Sequence, residues 1–126
     1  MANLGLLIAR VLIAALFIGG AVQKTLSPQD AGALLEGFAL PYWLVWPALL
    51  FNAVAGLALL AGVFVGPTAV ALGIYCAVTS VFHFIPDDPW QMSIFVKNWA
   101  IAGGCFALAV AGAGDWRIRT RGAPDR

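Results

Sequence analysis

Three features of the sequence predict an all-α fold: an integral membrane four-helix bundle with a short amphipathic helix in an outer loop. The first is a set of four apolar stretches, about Leu4–Gln23, Trp43–Val65, Thr68–Ile85 and Met92–Ala113. Each is close to the ~20 residues a helix needs to cross a bilayer. The second is composition, 62% hydrophobic and 10% charged with a mean hydropathy of +0.91, where an ordinary soluble domain has ~25% charged residues. The third is the lack of polar faces. A soluble bundle needs one on every helix, yet the run from Trp43 to Val65 has only Asn52 as a strongly polar side chain.

The 126 residues have room for one transmembrane domain, residues 1–116, and an Arg-rich tail, residues 117–126, with no separate soluble module. A net charge of +1 and no basic surface argue against nucleic acid. The expected partner is the lipid bilayer.

Taken in order, the first span resembles a secretory signal only superficially. No positive n-region precedes it, Arg10 lies inside it, and no small-x-small site follows Gln23-Lys24, so it is expected to remain as a helix. In the following connection, Ser27-Pro28-Gln29-Asp30 reads as an N-cap, a proline at N1 and an acid in the first turn. Leu34, Leu35 and Phe38 then suggest a short amphipathic helix ended by Gly37 and Pro41. A surface loop anchored by the same apolar residues is the plainer alternative. Between spans two and three, Gly66-Pro67 reads as a helix stop followed by an N1 proline, which makes these spans antiparallel neighbours.

Charge distribution sets the orientation. The connections that carry Asp30 and Glu36, and Asp87 and Asp88, contain no Lys or Arg, whereas the tail has Arg117, Arg119, Arg121 and Arg126. The positive-inside rule then places both termini in the cytoplasm. Trp43, Trp46, Trp90 and Trp116 fall near span ends, where aromatic residues sit at headgroup level. Gly5/Ala9, Ala58/Gly62 and Ala100/Gly104 have the small-residue spacing that permits close helix approach.

The polar side chains mark a candidate site. Lys24, His83, Lys97 and Asn98 reach similar depth from three spans toward the outer side, and Asn52 lies near mid-depth on span two. Cys76, Thr79, Ser80 and His83 share one helical face, as do Asn98 and Cys105. Together they would line a polar interior, because lipid offers no hydrogen-bond partner. Each also has a plainer role. Lys24 and Arg10 can snorkel to headgroups, Lys97 can pair with Asp87 or Asp88, His83 can be a helix-end residue, and Asn52 and Asn98 can be interhelical glue.

Other chemistries find little support. Cys76 and Cys105 are expected to be reduced packing residues, since there is no C-x-x-C pair. One histidine and two deep cysteines make no metal ligand set. No nucleophile–base triad, phosphate loop or dinucleotide fingerprint is present, and no catalytic residue is identified.

The chain resembles the DoxX family over nearly its whole length. The landmarks are Ile8-Ala9-Arg10, Gly20 and Lys24 in span one, Gly37-Phe38 and Pro41 in the outer loop, and Leu57–Gly62 at the end of span two. Phe82-His83, Lys97-Asn98, Gly103-Gly104 and Gly114-Asp115-Trp116 follow. One position departs: relatives commonly have a glutamate where Asn52 stands, and a proton or quinone step that uses that acid would be missing here. The resemblance implies a bacterial inner-membrane protein of the kind linked with thiosulfate:quinone oxidoreduction or with redox-protective enzymes, and related animal folds include receptor-assembly chaperones.

The leading expectation is therefore a protein that binds a quinone-like or other amphipathic small molecule near the outer leaflet, as a component of a quinone-linked oxidoreductase system. Lys97 and His83 would bond the polar head, Asn98, Lys24 and Asn52 would assist, and Phe82, Trp90, Phe95 and Trp99 would pack on the ring. With no electron carrier in the sequence, a cofactor such as quinone or a protein partner in a membrane redox complex would supply the electrons. The alternative is a non-catalytic membrane subunit or assembly factor. A transporter is less supported, for want of a discontinuous helix or inverted repeat.

Overall fold

The computed structural model describes residues 1–118, which form helices and no strands. Helix α1 spans Ala2–Leu26, α2 Pro28–Glu36, α3 Val45–Ala61, α4 Val65–Thr79 and α5 Pro89–Ala111. A 3-10 turn, Tyr42–Leu44, leads into α3, and another, Ser80–His83, extends α4. Four helical segments are long and apolar enough to cross a membrane: Ala2–Leu26, Tyr42–Ala61, Val65–His83 and Pro89–Ala111. The chain is a multi-pass membrane helical bundle.

The bundle is built of two tight pairs, α1 on α3 and α4 on α5, with fewer contacts between the pairs. Glycine permits both close approaches. A Cβ on Gly56 would come 2.7 Å from Ile18 Cγ1 and 3.4 Å from the Ala14 carbonyl of α1, and one on Gly73 would come 2.6 Å from the Phe106 ring of α5. Phe17, Leu59, Leu72, Cys76, Cys105 and Leu108 are buried in the shared core. Both cysteines are free thiols there. Leu12, Leu50, Val78 and Val96 are exposed on the outside, as expected of surfaces that meet lipid tails rather than water.

The short helix expected between the first two spans is present as α2, with Ser27 at its N-cap position and Pro28 at N1. The Ser27 side chain makes no capping bond. Packing holds α2 instead. Gly32 is buried under the Tyr42 ring, and Phe38 meets Phe82 edge-on at 5.2 Å. The link between α3 and α4 differs from expectation. Gly62, not Gly66, stops α3, at φ +79° with its N–H donating to Ala58 O and Leu59 O. Helix α4 already starts at Val65, so Pro67 is its third residue. Proline is tolerated there because first-turn N–H groups have no intrahelical acceptor.

Arg10 departs furthest from expectation. It does not snorkel to the interface but is 1% exposed inside the bundle. Its Nε donates to Leu59 O (2.9 Å), Nη2 to Leu60 O (2.9 Å), and Nη1 to Ala113 O (3.0 Å) and Trp116 O (2.7 Å). The first two acceptors are carbonyls in the last turn of α3, where the helix dipole favours a cation. The other two belong to the segment after α5. A rigid guanidinium fork can join these acceptors, whereas an ammonium point charge cannot.

The same end of the bundle holds both ends of the described chain. Asn3 Oδ1 accepts from Asp115 N at 3.0 Å while its Nδ2 donates to Asp115 Oδ2 at 3.2 Å. Ile118 N donates to Ala61 O at 2.8 Å, so the described chain stays against the bundle past residue 116. The remainder of the Arg-rich tail, with Arg119, Arg121 and Arg126, lies outside the described residues.

Candidate functional site

At the opposite end of the bundle, Lys24 sits in the last turn of α1. Side chains on a helix lean toward its N-terminus, and the half-buried Lys24 follows that lean. Its ammonium turns back over Gly20 rather than out toward headgroups: a Cβ on Gly20 would lie 3.8 Å from Lys24 Nζ and 3.4 Å from Asn52 Nδ2. Asn52, from α3, is 3% exposed, and its Oδ1 has no hydrogen-bond partner. Its side chain lies against the Tyr75 hydroxyl of α4. Tyr75 is itself wedged between Phe17 and Phe51, with ring centroids 6.3 and 5.2 Å away. Three helices thus bring an ammonium, an amide and a phenol together beside Gly20.

Tyr75 did not enter the set read from sequence. Its signal was available, since a tyrosine in mid-span needs a partner for its hydroxyl. The Thr79 and Ser80 hydroxyls expected to line the same interior are used locally. Thr79 Oγ1 donates to Tyr75 O at 2.7 Å and Ser80 Oγ to Ala77 O at 2.6 Å. Such bonds back onto the preceding turn accompany the tightening of α4 into its 3-10 end.

The other residues of the expected site lie elsewhere. His83 Nδ1 is 2.7 Å from Gln91 Oε1, a pairing between the end of the third span and the first turn of α5. Asp88 caps α5, accepting from Trp90 N at 3.0 Å and Gln91 N at 3.3 Å, which gives it a structural role at the helix end. Lys97 is exposed on α5, with Pro89, Met92, Ser93 and Val96 around an open depression of about 550 Å³. It stands about 120° around the helix from Gln91, by 100° per residue. Lys97 and His83 are therefore not brought to a common pocket. Asn98, the next residue, is half-buried, while Trp90 and Trp99 are 72% and 51% exposed. Trp99 stacks edge-on against Phe95, which in turn touches Phe84. Of the seven expected residues, the structure joins Lys24 to Asn52 and leaves the others on or beside α5.

The model of the DoxX family matches residues 5–84, which takes in α1 through the 3-10 end of α4. Among curated proteins, the chain is similar to the inner membrane protein YqjF of Escherichia coli strain K12. The two are 28% identical over 117 residues, covering 92% of this chain and 90% of that one. No solved structure matches.

Proposed function

The chain belongs to the DoxX family, and on that footing we propose that it binds the polar head of a quinone-like or other amphipathic small molecule where Lys24, Asn52 and Tyr75 converge. The observation that carries this reading is the Asn52 amide, 97% buried by its 3% exposure and with Oδ1 unpartnered. A buried polar atom without a partner costs about 1–3 kcal/mol, which a ligand group would recover. Phe17, Phe51 and Tyr75 offer apolar faces beside it, the usual balance of a small-molecule site. In this reading the chain binds and orients, and oxidation or reduction takes place with a partner in a quinone-linked membrane system. The relative's name supports an inner-membrane location, and the tail arginines support cytoplasmic termini.

Mass spectrometry of lipophilic extracts from the purified protein tests this. A quinone-like or amphipathic molecule should accompany the wild type and be lost from Gly20→Leu, whose side chain would press on Asn52 and Lys24. Equal recovery from both proteins would remove the site. A protein partner is the second reading, favoured by the exposed α5 flank, where Lys97 makes no hydrogen bond or ion pair among the described residues. A stoichiometric membrane protein without a bound small molecule would support it.

A further inference from the structure

We infer that the head group taken by the Lys24–Asn52–Tyr75 site is an oxyanion: the occupant is an amphiphile with an acidic oxygen, not a neutral one. This deepens the reading above and rests on it. Lys24 directs its ammonium inward, over Gly20, yet no Asp or Glu occurs in any of the four spanning segments. Asp30, Glu36 and Asp87 are exposed in the connections, Asp88 caps α5, and Asp115 bonds Asn3 at the far end. Asp125 lies outside the described residues. The helices thus supply a cation at the site and no carboxylate beside it.

The neighbours of Lys24 are suited to an anion. An ammonium offers three donors, the Tyr75 hydroxyl one and the Asn52 amide two. The oxyanion pairs with the amide when it is turned over, which puts the donor Nδ2 where the unpartnered Oδ1 lies; turning it adds no negative charge. A carboxylate or phenolate would neutralise Lys24 through a charge-assisted bond, which is about twice as strong as a neutral one. A neutral carbonyl head would leave the ammonium uncompensated, and intramembrane charges are normally paired.

The test uses the full chain in uncharged nanodiscs and four photoactivatable probes with the same tail. The heads are a carboxylate, an acidic hydroxyquinone, a neutral quinone and a primary alcohol. The readouts are affinity and the position of the crosslink. Both acidic probes should bind at least 10-fold tighter than both neutral ones and crosslink near Gly20. Lys24→Met should erase that preference, Lys24→Arg should keep it, and Gly20→Leu should abolish the crosslink. Preference for only one acidic probe would still support the oxyanion and would identify its source as lipid-derived acid or acidic quinone. Equal or tighter binding of the neutral quinone, lost in Gly20→Leu, would overturn the inference and leave the proposed site standing. An acid preference that survives Lys24→Met but disappears in Lys97→Met would overturn it in favour of the α5 flank. No Gly20-sensitive binding by any probe would overturn both readings.

Discussion

The guanidinium of Arg10 donates to four carbonyls from two segments that are far apart in sequence, which ties the end of α3 to the segment after α5. Hydrogen bonds from a charged group contribute about 1.5–3 kcal/mol each, and neighbours are not additive. Arg10→Met should therefore lower stability by at least about 3 kcal/mol, seen as a large drop in the thermal midpoint in detergent. Arg10→Lys should recover little, because three donors on a compact ammonium cannot span the same acceptors. A midpoint unchanged in both variants would show the bonds to be dispensable. Gly62 is tied to the same group: besides its φ of +79°, a Cβ there would lie 2.8 Å from Arg10 Nη2. The snorkelling expected of Arg10 rested on its distance from the helix start. Its acceptors are 49 to 106 residues away, and no local pattern announces them.

Among the helices, glycines have different consequences according to what they face. Gly56 lies against α1 so closely that an added methyl would press on Ile18 and approach the Ala14 carbonyl, whereas nothing lies within 4 Å of a Cβ on Gly19. Gly56→Ala should loosen the α1/α3 pair and destabilise by about 1–3 kcal/mol, the usual cost of overpacking. Gly19→Ala should be neutral or gain up to about 1 kcal/mol from helix propensity. Chemical unfolding of the two variants beside wild type makes the comparison, and equal effects would argue against close packing at Gly56. The small-residue spacings visible in the sequence do not mark the close approaches: space beside Gly5 is open, Gly104 has only Ile13 Cδ1 at 3.9 Å, Gly62 faces the Arg10 and Arg117 side chains, and neither Gly56 nor Gly73 is in those pairs. Which glycine faces a neighbour depends on rotation of each helix about its axis, and an apolar helix with no polar face carries almost no signal of that rotation.

For the whole molecule, the segment after α5 closes the end of the bundle that holds Asn3 and Arg10. Removing residues 112–126 would take away the Ala113 and Trp116 carbonyls and the Ile118–Ala61 bond, leaving part of the Arg10 guanidinium without acceptors. The truncated chain should melt lower and be digested faster than the full chain, whereas matching melting curves would show that this closure is ornamental. Orientation can be read by single-cysteine labelling with an impermeant maleimide, since Cys76 and Cys105 are buried. Cysteines at positions 30 and 87 should label from outside and one at position 2 only after lysis. The reverse pattern would invert the proposed topology. Labelling of positions 2 and 115 from opposite sides would contradict the Asn3–Asp115 pairing itself.

Four membrane spans, their approximate limits and the short outer helix were legible in the sequence, because hydropathy over ~20 residues is a local and additive property and the lipid enforces it. The DoxX landmarks were legible too, but not what joins them. Folding gathers Arg10, Gly62 and Gly114-Asp115-Trp116 at one end, and Gly20 with Lys24 and Asn52 at the other. Depth along a helix follows from counting residues, which is why Lys24, Lys97 and His83 could be assigned similar levels. Direction around the axis follows from packing. It turns Lys24 toward Asn52 and Tyr75, leaves Lys97 on the outer flank of α5, and puts Arg10 at the C-terminus of α3. Depth is a property of each segment alone, whereas direction is settled only when helices remote in sequence bury their surfaces against one another.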